Sequence, residues 1–431
     1  MSTVVSVGLL GCGNVGGALV DLVAEQRDEI AARTGIELRI SRIAVHSTAK
    51  DRGLDIAAEV FTTDAAAVVA DPAIDVVVET IGGIEPAREL VLTALAAGKP
   101  VITANKELLA NHGAELYDAA AAAGVDLLFE AAVAGAIPLM RPLRESLIGE
   151  PITRVMGIVN GTTNYILSQM AEIGASYQDA LAEAQSLGYA ERDPTVDVEG
   201  YDAGAKAAII ASIAFGARVV AGDVYHEGIS GITAADIDFA KRLGYSIKLL
   251  AVTERVGTDN GQPVVAVRVH PAMIPNAHPL ASVRDSFNAV FVEGGAAGEM
   301  MFYGRGAGGR PTASAVLGDL IDAATNNLAG TAASIGRLEK AQIQPIDELE
   351  SAYYLNLEVI DEPGVLASVA NIFGQHKVSI RSMEQEGLGD EARLIFITHS
   401  AVERDVRATL QELRSLDSVR QVGSMLRVIG A

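Results

Sequence analysis

The 431 residues predict an α/β chain in three parts: a doubly wound parallel sheet, a mixed α+β domain, and a small βαββαβ unit at the end. Three observations predict it. A glycine loop, Gly11-Cys12-Gly13-Asn14-Val15-Gly16, follows a short apolar run and opens an amphipathic stretch. Strand-like and helix-like periods alternate until about residue 140, where the alternation changes. From Tyr353 a compact unit starts, in the order strand, helix, strand, strand, helix, strand. The bounds that follow are 1–138, 139–328, a weakly patterned connector at 329–350, and 351–431.

Val4 to Leu10 reads as a buried strand, and the loop after it has the spacing G-x-G-x-x-G in the setting that dinucleotide binding requires. The first glycine permits the tight turn, the second lets backbone approach a pyrophosphate, and the third lets helix and strand pack closely. The helix N-terminus then faces the phosphates. This is the Rossmann-type arrangement, and it makes Leu10, Gly11, Gly13, Asn14, Val15 and Gly16 the candidate cofactor loop. Cys12 reads as a small residue within it, although helix N-termini can lower a thiol pKa.

Strands follow at Leu38 to Val45, Val76 to Thr80, Val101 to Thr103 and Val125 to Phe129, with helices at Glu85 to Ala97 and Lys106 to Ala123. The tip of the second strand carries no acid for a ribose hydroxyl. It offers Lys50 and Arg52 instead, which favours NADP and leaves NAD possible. Thr80 and Lys106 stand at later strand ends, where ligands of such sheets bind. A lysine that opens a helix sits badly beside the dipole unless an anion or a reacting oxygen compensates. The next strand end is Glu130, leading into a small-residue turn, Ala131 to Pro138. One carboxylate with several backbone carbonyls suits a hard cation rather than zinc, although water satisfies most turn carbonyls.

After a strand at Ile152 to Val159, Asn160-Gly161-Thr162-Thr163 supplies a turn and a helix cap. The run from Ala184 to Lys206 is the chemical centre of the chain. Gly188-Tyr189 makes a turn, and Asp193-Pro194 breaks a helix. A new helix can start near Val198, so that Glu199, Asp202 and Lys206 would share one stripe. A lone Asp-x-x-x-Lys pair is commonly a surface ion pair. Here the residues after Lys206 are almost wholly apolar, and a lysine against an apolar wall gives up its proton more readily than one in water. Strands at Tyr245 to Val256, Val264 to Val269 and Ala289 to Glu293 predict a mixed sheet. A second glycine loop, Gly304 to Thr312, opens a helix and brings Gly306 and Gly308 to the cofactor crevice, its helix packing back on the first domain.

The last unit reads as strand Tyr353 to Ile360, turn Asp361-Glu362-Pro363-Gly364, helix Val365 to Phe373 and strand Val378 to Gln385. A hairpin at Gly387 to Asp390, strand Arg393 to His399, helix Glu403 to Leu413 and strand Val419 to Ile429 complete it.

The central run has the form A-x3-G-Y-x3-D-P-x2-D-x2-G-x-D-x3-K, met at Ala184, Gly188, Tyr189, Asp193, Pro194, Asp197, Gly200, Asp202 and Lys206. It resembles the active-site segment of homoserine dehydrogenases, and the resemblance extends along the chain to a C-terminal ferredoxin-like unit similar to an ACT domain. The resemblance implies interconversion of L-homoserine and L-aspartate 4-semialdehyde. In it Lys206 and Lys106 are catalytic, and Glu191 and Asp202 hold the substrate ammonium. Gly188, Tyr189, Asn160 and Thr162 border the substrate. A sodium ion is held by Glu130 and the carbonyls of Val133, Gly135 and Ile137. Arg305 stands where that family usually has proline. An amino-acid effector, with threonine as the candidate, is implied at Asp361, Gly364 and Val365, together with a homodimer or homotetramer. The first strand begins at Val4, so the expectation is a monofunctional enzyme with no kinase domain before it. A chain ending near Glu350 is expected to keep catalysis and lose threonine inhibition.

Composition agrees with small-molecule chemistry. Thirty-three basic against 55 acidic side chains give a net charge of −22, which repels nucleic acid and anionic membrane. One cysteine excludes an internal disulfide framework and predicts a reducing, cytoplasmic setting. No targeting or membrane-spanning segment is legible. A phosphorylating semialdehyde dehydrogenase would need a cysteine in its substrate domain, and Cys12 lies elsewhere. A non-catalytic amino-acid sensor would not need the intact central run.

Overall fold

The computed structural model describes residues 2–333, 335–387, 389 and 391–430. Six strands, β1 (Thr3–Leu10), β2 (Ile36–Ala44), β3 (Phe61–Thr62), β4 (Val76–Glu79), β5 (Val101–Thr103) and β6 (Leu127–Leu128), form one sheet in the order β3-β2-β1-β4-β5-β6. Every pairing in it is parallel. The order reverses between β1 and β4, and a crevice opens there at the carboxyl ends. β4 and β5 are buried on both faces, which is why they read as apolar runs rather than alternating ones, whereas β2 keeps Arg39 and Arg42 in solvent. Val5, Val7 and Leu9 share a core with Leu19 and Val23 of the helix Asn14–Glu25 and with Val316 and Leu320 of the helix Gly309–Ala329. Part of this layer is thus supplied from far along the chain.

The second sheet starts with β7 (Ile152–Ile158), β8 (Tyr245–Asp259), β9 (Gln262–Pro275), β10 (Phe287–Gly294) and β11 (Gly298–Arg305). It continues through the C-terminal unit with β12 (Glu350–Ile360), β13 (Ile380–Gly387), β14 (Glu391–Thr398) and β15 (Val419–Val428). The spatial order is β11-β10-β7-β8-β9-β15-β12-β14-β13. The join is parallel, with Ala272 opposite Arg427 and Met273 opposite Val428.

Several elements depart from the sequence reading. β8 and β9 run longer than expected and meet at a two-residue hairpin, Asn260-Gly261, both with positive φ; Asn-Gly is the strongest short hairpin signal, and it was legible. β11 ends at Arg305 and the next helix starts at Gly309, so only Gly306 to Gly308 of the second glycine loop are irregular. The connector is tied down, Glu339–Lys340 pairing with Ala217–Arg218 and Gln342–Ile343 with Val264–Val265. The expected hairpin at Gly387 to Asp390 includes Leu388 and Asp390, which lie outside the described residues.

The helix expected near Val198 is also different. A single turn, Thr195–Val198, ends at Glu199, Gly200 takes φ +85°, and the long helix is Tyr201–Phe215. Glu199 therefore falls on the turn and not on the charged stripe, because a left-handed residue separates it from the helix.

Candidate active site

In the glycine loop Gly11 has φ +94°, and a Cβ on it would lie 2.8 Å from the Thr80 carbonyl oxygen. A Cβ on Gly16 would collide with the Gly11 carbonyl, whereas Gly13 faces open space. Thr80 ties the loop to β4, its hydroxyl donating to the carbonyls of Gly11 at 3.0 Å and Leu10 at 3.2 Å. The helices Asn14–Glu25 and Gly309–Ala329 start at Gly13 and Gly308 without a side-chain cap. Their N-termini meet, since a Cβ on Gly309 would lie 2.9 Å from the Asn14 carbonyl oxygen. Two sets of unpaired amides thus share one crevice, a setting that favours an anion such as a pyrophosphate. Lys50 and Arg52 are solvent-accessible on the loop after β2. Arg52 donates to the carbonyls of Lys50 and Ser47 and lies over the Phe61 ring. Burial pushes the Cys12 thiol up, with Arg52 opposing, the reverse of the lowering that a helix N-terminus can bring.

Lys106 is positioned by a buried network. Glu79, fully buried, accepts from the Thr103 hydroxyl at 2.6 Å and from the amides of Ile81 and Gly82. Asn105 caps the next helix, its side chain accepting from Leu108 N and donating to the Gly83 carbonyl. Lys106 then leaves the helix start toward the second domain and meets Asp202 at 2.7 Å.

Asp202 is the hub. Its Oδ1 takes Lys106, and its Oδ2 takes Lys206 at 2.6 Å and Asn160 Nδ2 at 2.9 Å. Lys206 also donates to the Val159 carbonyl at 2.6 Å. Asn160 caps the helix Gly161–Ile173 through its oxygen and gives its second amide hydrogen to Asp197. Burial opposes ionisation of Asp202, yet Lys206 and Lys106 hold its carboxyl far below the usual range. Asp202 in turn holds Lys106 above the ordinary lysine value against burial. Burial pushes Asp197 up, with the Asn160 hydrogen bond opposing.

These groups line a cleft of about 940 Å³. It brings together Val15, Thr80, Lys106, Gly135, Asn160, Thr162, Gly188, Tyr189, Glu191, Asp202, Lys206, Gly306 and Gly308. The Thr162 hydroxyl donates to the Tyr189 carbonyl, and the Tyr189 ring tilts against Tyr165 at 5.0 Å. Both Asp202 oxygens are taken by lysines, so its expected place at the substrate ammonium meets a different geometry. Glu191 and Asp197 are the cleft carboxylates without a lysine or arginine partner among the described residues. Asp197 belongs to the central run, but its spacing there implies no role. Asn288, buried against Gly306, lies just outside the strand expected at Ala289 to Glu293 and carried no sequence signal.

Glu130 lies behind the cleft. Its carboxylate accepts the amides of Leu139, Met140 and Arg141 at 2.5, 2.7 and 2.8 Å, and its own amide donates to Asp319. The turn holds two consecutive left-handed residues, Ala134 and Gly135. Among the described residues nothing donates a hydrogen bond to the buried carbonyls of Val133, Gly135 or Ile137. No three His, Cys, Asp or Glu side chains are grouped to hold a metal there or elsewhere among the described residues. In the C-terminal unit Asp361 is exposed and accepts from Gln385, and Gly364 starts the helix Val365–Gln375 with φ +95°. Among the described residues no helix is long and apolar enough to cross a membrane.

A doubly wound sheet whose crevice opens onto a Lys-Asp-Lys cluster, with Asp202 and Lys206 buried and Lys106 partly open to the cleft, defines a nicotinamide-dinucleotide-dependent oxidoreductase. The relatives name the kind. Residues 11–130 match the family described as homoserine dehydrogenase, NAD binding domain, residues 138–321 match homoserine dehydrogenase, and residues 353–418 match the ACT domain. A homoserine dehydrogenase of Corynebacterium glutamicum is 52% identical over 98% of this chain and 95% of its own. The crystal structure of one from Thiobacillus denitrificans superposes with a TM-score of 0.91 at 42% identity, over 99% of this chain and 98% of that one. A hyperthermophilic archaeal homoserine dehydrogenase in complex with NADPH matches with a TM-score of 0.63 at 29% identity, over 75% of this chain and 98% of that one. The chain belongs to the homoserine dehydrogenase family and carries a C-terminal ACT domain.

Proposed function

We propose that the chain interconverts L-homoserine and L-aspartate 4-semialdehyde, with NADP(H) as the preferred dinucleotide, on the route to threonine, methionine and isoleucine. The observation that carries this reading is Lys206, held between Asp202 and the Val159 carbonyl in the cleft that receives both uncapped helix starts. Bound in that crevice, the dinucleotide would supply or remove the hydride at C4. Lys206 takes the hydroxyl proton in the oxidation and returns it in the reduction. Asp202 orients Lys206 and Lys106 together, so that both side-chain nitrogens face the reacting oxygen, Lys206 as the neutral amine when it takes the proton and as the ammonium when it returns it. Glu191 and Asp197 receive the substrate ammonium, and Thr162 and Tyr189 frame it. The test is oxidation of NADPH by aspartate semialdehyde without phosphate; a reaction that appears only with acyl phosphate would point to the phosphorylating enzyme instead.

Lys50 and Arg52 support the NADP preference as partners for a 2′-phosphate. Neutralising both should raise the Michaelis constant for NADPH severalfold and leave that for NADH nearly unchanged. Equal effects in steady-state assays with each cofactor would remove the assignment.

The unpaired carbonyls of Val133, Gly135 and Ile137 fit a monovalent hard cation such as sodium, and the Glu130 carboxylate keeps negative charge behind them while fixing the turn that presents them. Glu130→Ala should lose activation by sodium or potassium and melt at lower temperature, because it leaves three buried amides unpaired at about 1–3 kcal/mol each. If the activity of the native enzyme is indifferent to both ions, no such site operates.

Threonine is the proposed effector at Asp361, Gly364 and Val365, in a homodimer or homotetramer of a reducing cytoplasm. An effector acts only through different affinities for two states. Gly364→Asp strains a left-handed turn and puts a carboxylate where the effector's own would sit. It should abolish threonine inhibition at unchanged basal turnover; full sensitivity in this variant would place the effector elsewhere.

A further inference from the structure

The helix that carries Asp202 and Lys206 starts at Gly200 with no side-chain cap. The segment Tyr225 to Ile229 braces that end. Ile229 N donates to the Val198 carbonyl at 2.8 Å, Glu227 N donates to the Val269 carbonyl at 2.8 Å, and Tyr225 and His226 pair with Arg268 and Val269 of β9. The His226 ring lies 5.1 Å from the Tyr201 ring and so close to Gly204 that a Cβ there would collide with Nε2. A Cβ on Gly228 would collide with the Val198 carbonyl and lie 2.5 Å from Glu199 Oε2. The segment and the first turns of the catalytic helix therefore touch without slack.

Its other side belongs to the C-terminal unit. Arg427, 2% exposed, holds Glu403 with two hydrogen bonds of 2.8 and 2.5 Å and gives a third, at 2.9 Å, to Glu227. Arg407 donates to the Tyr225 hydroxyl at 2.9 Å, and that hydroxyl donates to Glu227 at 3.3 Å. Arg427 keeps its buried partner Glu403 whether or not Glu227 is charged, so the contact to Glu227 can be weakened without stranding the arginine. We infer that Glu227 is a positioning residue: its carboxylate, held by Arg427, fixes the Tyr225 to Ile229 segment against the helix of Asp202 and Lys206, so the pose of the reacting lysine is set from the C-terminal unit. The inference rests on the catalytic assignment of Lys206 made above. A misplacement of an ångström at a reacting group is enough to cost turnover, whereas the cofactor crevice is built from other elements.

In the full-length enzyme Glu227→Gln, which keeps shape and replaces the ion pair with Arg427 by a weaker bond to a neutral acceptor, should lower kcat about tenfold with the Michaelis constant for NADPH within about twofold of wild type. Amides of residues 201–206 should exchange with solvent about tenfold faster, and those of β1 and β4 should not change. The control is Glu384→Gln, which removes another ion pair between the C-terminal unit and the second domain, with Arg242 at 3.0 Å, and leaves kcat unchanged. Lys206→Ala is assayed alongside. If Lys206→Ala is inactive while Glu227→Gln has wild-type kcat and exchange, the inference is overturned and the catalytic reading stands. If Lys206→Ala turns over normally, both fall. Should Glu227→Gln not fold, Gly204→Ala must lower kcat in the same selective way by displacing His226, and wild-type turnover in it overturns the inference.

Discussion

Lys206→Ala should lower turnover by about 10²–10⁴-fold while NADPH still binds. The variant isolates chemistry from folding for a structural reason. Asp202 is buried, and an unpaired buried carboxylate is costly, but in the variant Lys106 and Asn160 still meet it at 2.7 and 2.9 Å. The helix around position 206 is buried along most of its length and tolerates alanine. Fluorescence titration with NADPH and single-turnover kinetics separate the two effects. Near-normal turnover would remove Lys206 from the mechanism. Asp202 adds a pH statement. Its folded pKa lies below the unfolded one, so its contribution to stability is present above the unfolded pKa and is lost only as pH falls through the depressed value. It is therefore ionised throughout any neutral assay.

A chain cut after Glu350 should fail to give a stable fold, and this revises the expectation that such a chain keeps catalysis and loses only threonine sensitivity. β15 lies directly against β9, so the cut exposes an inner strand edge of the catalytic domain. Tyr354, Ile395, Ile397, Leu426 and Val428 share one core with Ile237, Phe239, Val269 and Met273. At about 1.5–3 kcal/mol for each large apolar side chain, their loss is on the order of 10 kcal/mol, comparable with the stability of a whole domain. The cut also strips Asp236, 1% exposed, of Tyr354 and Ser424. Thermal unfolding of the purified fragment is the measurement; a cooperative transition within a few degrees of the intact enzyme would show that the tail is separable after all. A point change such as Gly364→Asp is the cleaner probe of regulation.

Local rules made the chemistry of this protein legible. The glycine loop, the proline break, the i, i+4 placement of Asp202 and Lys206, and the β-α-β-β-α-β order depend on near neighbours, and near neighbours are what a sequence displays. The apolar stretch after Lys206 announced a buried helix, and it is buried. Less was legible where one residue interrupts a pattern, as Gly200 does with its positive φ. Glu199 was thereby placed on a face it does not share.

The sequence by itself determined the coenzyme fold, the order of the three parts and about half of the residues that line the cleft. Only the tertiary structure decided how they are wired. Lys106 and Lys206, about a hundred positions apart, meet on one carboxylate because the helices Lys106–Ala123 and Tyr201–Phe215 pack against each other, and Asp202 is for that reason a hub rather than a free ligand for the substrate. The helix Gly309–Ala329 closes the first domain, and the C-terminal strand joins the second sheet beside Arg427 and Glu227. Strand partners, buried ion pairs and shared cores are set by distances between segments remote in the chain, and no local spacing records those distances.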